Sequence, residues 1–312
     1  MYVLGIETSC DETGAAVVKD GRYVLSNIVS SSLKFHKKYG GVIPEIAFRM
    51  QLEAISAVVD CAIKDARIKP PDIKLLSVTD APGLLGSLLV GTAFARSLGL
   101  ALNIPVLEAN HLYSHIYANF LNRLPIALPF IALIVSGGHT SLFYVRDFNR
   151  IALLGATQDD ACGEAFDKVG KIMGLGYPGG PFIERLAKQG NPHKIKFKCS
   201  ETKEPLNFSF SGIKTAVLYL LKNKHYPLYA KKDIAASFQE AAIDALIRKS
   251  LLACKIKKTS RLVLGGGVTI NKRLREKFEE KAGESGIRIY FPAPEFCMDN
   301  AAMVAGLGYR IV

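Results

Sequence analysis

The sequence predicts a duplicated α/β fold of two lobes. Each half of the chain opens with a three-strand meander, and helices alternating with strands follow in both halves. The chain has 312 residues, 49% of them hydrophobic, which is enough for each lobe to bury its own core. Duplicated lobes usually hold their ligand in the cleft between them. We expect residues 1–108 to form the first lobe and residues 109–312 the second, with the last helix, about 299–312, packing back on the first lobe.

Hydrophobic periodicity predicts the elements of the first half. A helix that starts at Pro44 carries apolar residues at three- and four-residue spacing, which is typical of a helix that faces a core. Turn residues separate the strands of the opening meander. In chain order we expect strands at 2–7, 14–18 and 23–30, the helix from Pro44, a strand at 73–79, a small-residue helix at 86–102 and a strand at 104–108.

The second half repeats this pattern. A three-strand meander is again followed by helices and strands. We expect strands at 130–135, 141–146 and 151–156, helices near 163–173 and 233–254, a strand at 261–264 and a helix at 271–282.

The charge balance favours an acidic partner. Lys and Arg number 40 against 28 Asp and Glu, so the formal net charge is +12, which favours nucleic acid as a partner. One run of cations is most often a solvated face, and only several runs together point to a polyanion. The runs are Lys34–Lys38, Lys188–Lys203, Lys222–Lys232 and Arg248–Lys258, and some of them include aromatic residues.

Cysteine usage and hydropathy favour the cytoplasm. The six cysteines show no close pairing along the chain, which argues against a zinc ribbon or a disulfide framework. The N-terminus reads as a strand that soon reaches Glu7, without a charged leader or a cleavage site. The richest apolar stretch, 124–135, is interrupted by Pro125 and Pro129, so we expect no membrane span.

Three turns carry residues that suit phosphate or metal chemistry. The turn at 7–14 offers hydroxyls and carboxylates, whereas the turn at 135–140 offers glycines, which let the main chain approach an anion closely. The turn at 265–271 ends a strand and opens a helix, so its amides and the positive helix end can hold a nucleotide. Each turn alone is more often just a tight turn. Three turns at matching positions of a repeated unit favour a nucleotide site.

Two histidines predict a metal site. His111 and His115 stand four residues apart, which on a helix places both imidazoles on one face. The alternative is a pair of ordinary core or surface histidines. A metal held by two imidazoles alone would bind weakly, so a carboxylate is needed, and Asp299, before the C-terminal helix, is the candidate. Two histidines and one carboxylate leave coordination positions open for substrate oxygens.

Two further segments have both structural and functional interpretations. Asp167, near the start of a predicted helix, could accept ribose hydroxyls, whereas Glu164 in the same helix is better explained as a partner of the helix dipole. In the segment 207–214, Phe208 and Phe210 are better explained as core residues, with Ser211 as a helix N-cap.

Motifs along nearly the whole chain carry a family resemblance: GIETSCDETG, the NH-x-x-x-H element, VSGGHT, DDACGEAFDKVGKIMGLGYPGGP, FSFSGIKTA, LGGGVTINKRLRE and MDNAAM. They resemble the tRNA threonylcarbamoyltransferase family, called TsaD in bacteria and formerly O-sialoglycoprotein endopeptidase, in its bacterial branch. The resemblance implies the actin, hexokinase and Hsp70-like fold with a nucleotide cleft between the lobes. It implies transfer of a threonylcarbamoyl group from threonylcarbamoyl-AMP to N6 of adenosine 37 in ANN-decoding tRNAs, with release of AMP.

The resemblance also implies roles for particular residues. His111, His115 and Asp299 would bind one divalent transition metal, iron by preference and zinc as the alternative, and Mg²⁺ is possible together with ATP. Glu184 falls where some members carry an acid on the ribose side. The expected partners are tRNA and helper proteins of the TsaB and TsaE types, with no membrane and no DNA. The adenylate would be held by Ile134, Val135, Ser136, Gly137, Gly138, Asp167, Gly180 and Asn271.

The chemistry of this reaction needs no covalent nucleophile, because the donor is an activated mixed anhydride. The difficult steps are to hold a weakly nucleophilic aromatic amine in line and to stabilise charge on the carbonyl and the phosphate. A metal with open positions can polarise both oxygens. Asp11 and Glu12, on the first turn, are our candidates for placing the amine or accepting its proton.

Two other classes of protein share some of these features. A metallopeptidase is suggested by the paired histidines and by the old family name, but Leu112 follows His111 where a zincin has its general base glutamate. A nucleotide-binding regulator or small-molecule kinase would share the cleft. Kinases of this fold hold Mg²⁺ through carboxylates and phosphate, so the two histidines argue against that class.

Overall fold

A computed structural model describes residues 1–123, 125–222 and 231–312, which divide into two compact units. The first unit comprises residues 1–127 and 292–312, and the second comprises residues 128–291. Most of the basic run predicted at 222–232 lies outside the described residues.

The first unit is built on a five-stranded mixed sheet. The opening meander is antiparallel, and β4 and β5 add to it in parallel on the other side of β1. The strands stand in the order β3-β2-β1-β4-β5. They are β1 (Tyr2–Glu7), β2 (Glu12–Lys19), β3 (Tyr23–Ser31), β4 (Ile73–Ala81) and β5 (Val106–Asn110). The helices of this unit are α1 (Leu33–His36), α2 (Pro44–Asp65), α3 (Leu85–Leu102), α4 (His111–Tyr117) and, after the second unit, α10 (Ala301–Ile311).

Helices cover both faces of this sheet, as the burial of β1 requires. Leu4 and Ile6 pack in one core with residues of α2 and α3. On the opposite face, a Cβ atom added to Gly5 would lie 2.2 Å from the carbonyl oxygen of Ala301. α10 therefore packs on β1 backbone to backbone, which only a residue without a side chain allows.

The second unit repeats the first in strand order and strand direction. Its sheet runs β10-β9-β6-β7-β8, with an antiparallel meander and two parallel strands. The predicted duplicated α/β fold is confirmed. The strands are β6 (Phe130–Val135), β7 (Thr140–Asp147), β8 (Arg150–Ala156), β9 (Arg261–Gly265) and β10 (Arg288–Tyr290). The helices are α5 (Cys162–Ile172), α6 (Gly179–Ala187), α7 (Ser211–Lys222), α8 (Lys231–Lys257) and α9 (Lys272–Glu284).

The compact units differ from the expected lobes, 1–108 and 109–312, in the positions at which the chain passes from one unit to the other. Residues 109–127 belong to the first unit, because α4 contacts α10 and β5 there. The chain returns to the first unit at Pro292, ahead of the last helix. Composition does not reveal these crossings, since both lie in ordinary loop sequence next to prolines.

Among the described residues, α3 alone has the length and apolar composition of a membrane span, with a mean hydropathy of 1.5 over 18 residues. This apolar stretch is longer than 124–135, the one that the sequence analysis singled out. Gly91 of α3 lies against Thr8, and Gly99 lies against Val106, so α3 packs on the sheet of the first unit. The small residues that permit this packing also interrupt the apolar run in the sequence.

Substitution of Gly5 by Ala tests the contact between α10 and β1. The added methyl group must displace the backbone of α10, so we expect a loss of about 1–3 kcal/mol in the free energy of unfolding. Gly41→Ala is the control, since a Cβ there has no neighbour within 4 Å. Urea unfolding of both variants checks this, and equal stability would contradict the close packing.

The second unit contains an ion network around buried Glu240, and its contribution to the stability of the fold depends on pH. Glu240 accepts from Arg273 Nη2 at 2.7 Å and from Lys277 Nζ at 2.6 Å. Burial by itself raises the pKa of Glu240, but these two cations outweigh it and lower the pKa to about 2. The ordinary value is 4.5, so the stabilisation is present above that pH and is lost as the pH falls towards 2.

Glu240→Gln is therefore expected to destabilise the protein at pH 7 by about 1–3 kcal/mol, because it leaves buried donors poorly matched. The difference from the wild type should shrink as the pH falls from 4.5 towards 2. Thermal unfolding across this range measures it, with the exposed Glu279→Gln on α9, the helix that carries Arg273 and Lys277, as the control. A difference that stays constant with pH would count against the network.

Candidate metal centre and nucleotide-binding turns

The first unit brings together the three residues predicted to bind a metal. The candidate ligand atoms of His111, His115 and Asp299 all lie within 4.8 Å of one another. Asp299 Oδ1 lies 3.0 Å from His115 Nε2 and 3.7 Å from His111 Nε2. The structure thus places two imidazoles and one carboxylate around a single point.

Helix caps position these ligands. Asn110 caps α4, because its Oδ1 accepts from Leu112 N at 3.0 Å and from Tyr113 N at 3.2 Å. The histidines are the first and fifth residues of that helix and share one face. Asn300 caps α10 by accepting from Met303 N, so Asp299 stands immediately before a fixed helix start.

The cluster is accessible from the side of the carboxylate. The side chain of His111 is 6% exposed and that of His115 is fully buried, whereas that of Asp299 is 21% exposed. A bound ion would therefore be covered by protein on the imidazole side. The side of the cluster nearest Asp299 is the side open to solvent.

Glu7 contacts the ring nitrogen of His111 that faces away from the cluster. The sequence analysis did not assign it this role. Its Oε2 lies 3.0 Å from His111 Nδ1 and accepts from Thr79 Oγ1 at 2.7 Å, while its Oε1 accepts from Ser9 N at 2.6 Å. This carboxylate favours the tautomer with the proton on Nδ1, which leaves Nε2 of His111 directed at the cluster. A carboxylate behind an imidazole ligand is the usual arrangement at metal sites.

The electrostatics of the cluster favour a cation. Burial by itself lowers the pKa of His111, but the carboxylates of Glu7 and Asp299 raise it to about 9. Burial raises the pKa of Glu7, and His111 reverses that shift and lowers it. Buried Glu7 and partly exposed Asp299 place two carboxylates beside His111, which favours positive charge there, and a proton or a metal ion can supply it. The donor set of imidazole and carboxylate fits a divalent transition metal.

The turn between β1 and β2 holds the candidate catalytic residues Asp11 and Glu12. Buried Gln51 of α2 fixes this turn, because its Nε2 lies 3.3, 3.0 and 2.9 Å from the carbonyl oxygens of Thr8, Cys10 and Glu12. Burial raises the pKa of Glu12 to about 9, with the carboxylates of Asp11 and Asp299 adding to the shift. Glu12 therefore keeps its proton at neutral pH and suits hydrogen-bond donation better than proton acceptance.

In the second unit, the glycine turn after β6 is framed by close main-chain contacts. Ser136 N donates to His139 O at 2.8 Å, and Gly163 N at the start of α5 donates to Ser136 O at 3.2 Å. Gly266, after β9, has a φ of 90°, and a Cβ there would lie 2.4 Å from Val135 O. Gly137 and Gly138 are exposed, and a Cβ on either would meet nothing within 4 Å. Their backbone is open to a ligand.

The remaining predicted nucleotide residues form two neighbouring pairs in this unit. Asp167 Oδ1 accepts from Gly179 N at 2.7 Å, which fixes the loop at Gly180. Glu184 Oε1 accepts from Lys272 N at 3.0 Å, next to Asn271. Asn271 Oδ1 caps α9 by accepting from Leu274 N, and its Nδ2 donates to Gln239 Oε1.

Through these contacts Asp167 stabilises a loop and Asn271 caps a helix, in addition to any ligand contact. Burial raises the pKa of Asp167, while the backbone amides of Gly179 and Gly180 oppose the shift. A pocket of about 300 Å³ lies beside Glu184, Gln239 and Lys272. The metal cluster belongs to the first unit and these residues to the second, and the nucleotide cleft between the lobes stays a prediction.

The chain is similar in sequence to one family over most of its length. The sequence model of that family, TsaD, tRNA N6-adenosine threonylcarbamoyltransferase, matches residues 23–306. The tRNA N6-adenosine threonylcarbamoyltransferase of Kosmotoga olearia is 50% identical over 310 residues, covering 99% of this chain and 93% of the relative. The protein of the same name from Thermosipho melanesiensis is 50% identical over 312 residues, covering 100% and 95%.

Solved structures with low sequence identity share the fold. Full-length HypF in its phosphate- and nucleotide-bound form matches with a TM-score of 0.65 at 15% identity, covering 99% of this chain and 46% of that one. Component A of the (R)-2-hydroxyglutaryl-CoA dehydratase of Acidaminococcus fermentans matches with a TM-score of 0.57 at 15% identity, covering 99% and 98%. The ROK hexokinase of Thermus thermophilus matches with a TM-score of 0.50 at 19% identity, covering 99% and 97%.

Substitution of Glu7 by Gln tests the support behind the metal cluster. The amide cannot match the carboxylate as an acceptor for His111 Nδ1, so we expect metal affinity to fall by about 10- to 100-fold. Titration of the metal-free protein with Fe²⁺ or Zn²⁺ measures the affinity. Glu45→Gln, on the exposed side of α2, is the control. Unchanged affinity in Glu7→Gln would mean that Glu7 serves only the fold.

Proposed function

The chain belongs to the tRNA N6-adenosine threonylcarbamoyltransferase family, and we propose that it transfers the threonylcarbamoyl group from threonylcarbamoyl-AMP to N6 of adenosine 37 in ANN-decoding tRNAs, releasing AMP. The observation that carries this proposal is the identity of about 50% to relatives of that name over essentially the whole chain. The cluster of His111, His115 and Asp299 supports it, because the reaction needs charge stabilisation on two oxygens of the donor.

We assign His111, His115 and Asp299 to holding one divalent metal, iron by preference and zinc as the alternative. When bound there, the metal would polarise the donor's carbonyl and phosphate oxygens. Glu7 would keep His111 in the tautomer that presents Nε2 to the cluster. Burial of both histidines would exclude water from the imidazole side. Mg²⁺ is a further cofactor that could accompany ATP.

We assign the adenylate to the second unit. The exposed main chain of Gly137 and Gly138, in the segment from Ile134 to Gly138, would donate to the phosphate. Asp167 is hydrogen-bonded to the loop that carries Gly180, which keeps the two residues close together. Both would contact the ribose. The side chains of Asn271 and Glu184 both accept backbone amides at the start of α9. These two residues would also contact the nucleoside.

We assign the acceptor amine to the turn that carries Asp11 and Glu12. Glu12 keeps its proton at neutral pH, so its role would be to donate a hydrogen bond and orient the amine or the carbonyl. Asp11 is then our candidate to accept the proton that the amine loses. Gln51 would hold both residues in place through the backbone of the turn.

The partners follow from the substrate. The net charge of +12 suits a tRNA partner. We place the reaction in the cytoplasm and expect helper proteins of the TsaB and TsaE types. Neither alternative class gains support from the site, because Leu112 still stands where a zincin has its glutamate and Glu7 is engaged with His111.

The experiment is to incubate the purified protein with threonylcarbamoyl-AMP, the helper proteins and an ANN-decoding tRNA. Mass spectrometry of the digested nucleosides should show threonylcarbamoyladenosine. His115→Ala removes one ligand of the cluster, so we expect a loss of roughly 100-fold or more in kcat/KM. His193→Ala, at an exposed histidine outside the cluster, should behave as the wild type. If the wild type yields no modified adenosine, the proposal is wrong.

A further inference from the structure

The segment between β3 and α2 presents cations and aromatic rings together on the surface. It consists of α1 and a 3₁₀ turn at Lys37–Tyr39. Phe35 is 36% exposed and Tyr39 is 49% exposed, so both rings are accessible to a ligand. The three lysines of this segment, Lys34, Lys37 and Lys38, are also exposed, and none of them pairs with a carboxylate within the described residues.

Each aromatic ring stands next to one of these cations. Lys34 Nζ lies 4.9 Å from the centroid of the Phe35 ring, and Lys38 Nζ lies 4.8 Å from the centroid of the Tyr39 ring. Rings paired with cations are the combination used for single-stranded nucleic acid, in which bases stack on the rings and phosphates meet the lysines. A duplex offers neither exposed base faces nor unstacked bases.

Buried His36 ties this surface to the turn that carries Asp11. His36 Nδ1 accepts from Ile43 N at 3.2 Å, so the proton sits on Nε2, which lies 2.9 Å from Ser32 Oγ. Ser32 Oγ in turn donates to Asp11 O at 2.8 Å. The fully buried imidazole therefore links the surface segment to the backbone of Asp11 through a single hydroxyl.

A second link reaches Glu12. Ser31 Oγ donates to Glu12 Oε1 at 3.3 Å, and Ser31 pairs with Glu12 across β2 and β3. A ligand bound on the segment 33–39 would thus be held against the same strand end that carries Asp11 and Glu12. Hydrogen bonds through Ser31 and Ser32 thus join the candidate acceptor site to the surface segment.

We propose that residues 33–39 bind the single-stranded loop of the RNA substrate, the part that carries the target adenosine. The reaction requires that adenosine to be unpaired and accessible, and its neighbours in the loop can then stack on Phe35 and Tyr39. Lys34, Lys37 and Lys38 contact the phosphates of the loop. This inference rests on the proposed function, since it assumes that the acceptor reacts at the turn of Asp11 and Glu12.

The test measures binding of an anticodon stem-loop RNA, with the target adenosine in the loop, to the full chain at several salt concentrations. Phe35→Ala and Tyr39→Ala should each weaken binding by roughly 5- to 150-fold, the effect of losing one stacked base. Phe35→Tyr and Tyr39→Phe keep the rings and should bind as the wild type does. A duplex RNA of equal length should bind the alanine variants and the wild type alike.

The charge contribution is tested by replacing Lys34, Lys37 and Lys38 together with Gln. The slope of log K against log salt should become shallower by about 0.7 for each lost phosphate contact, or about 2 in total. Lys19, Lys69 and Lys74, which are exposed and lie outside the cation runs named above, remove the same charge elsewhere when replaced together with Gln and should leave the slope unchanged. Equal changes in both triple variants would overturn the inference, because net charge alone would then explain binding.

Two other results would overturn it. One is stem-loop binding by both alanine variants at wild-type affinity. The other is a loss of binding to a helper protein with RNA binding intact, which would make the segment a protein-docking surface. Failure of the proposed function gives a different result: the wild type forms no threonylcarbamoyladenosine, while stem-loop binding still depends on residues 33–39.

Discussion

The candidate site depends on the backbone contact between α10 and the sheet of the first unit. Asp299 comes 184 residues after His115, and it reaches the imidazole only because α10 packs directly on β1. Small residues make that approach feasible, with Gly5 against Ala301, Gly306 against Tyr117 and Gly308 against Ser77. The helix start is then fixed by its Asn300 cap, which places the carboxylate one residue away. Packing of uncharged residues thus determines the geometry of a charged cluster.

The sequence predicted the ligands of that cluster better than their surroundings. The four-residue spacing of His111 and His115 is a local signal, since it follows from the helix period alone. The strands of both meanders were also found, because alternation and turn residues are local. The phenylalanines at 208 and 210 are fully buried, as their pattern predicted. Each of these patterns can be read within a window of a few residues.

Features that depend on distant partners could not be read in this way. Glu7 lies 104 residues from His111, and Gln51 holds a turn about 40 residues away, so neither spacing carries a pattern. Ser211 was expected to cap α7, but Asp159 also takes part there, accepting from the backbone amides of Phe210 and Ser211. The short strand β10 was missed because only three residues pair. The last helix contacts β1, but the segment that returns to the first unit begins at Pro292 rather than near 299, and no local pattern marks that start.

The two units share one strand order but present turns of different chemistry. In each unit the first strand ends in a short turn, and a glycine after the fourth strand packs against that turn: Gly83 lies against Ser9 O, and Gly266 lies against Val135 O. The equivalent turns differ in chemistry, since the first carries Asp11 and Glu12 and the second carries Gly137 and Gly138. Carboxylates suit a cation or a proton, whereas open backbone amides suit an anion. Because the two turns stand on separate sheets, each could acquire its charge without disturbing the other.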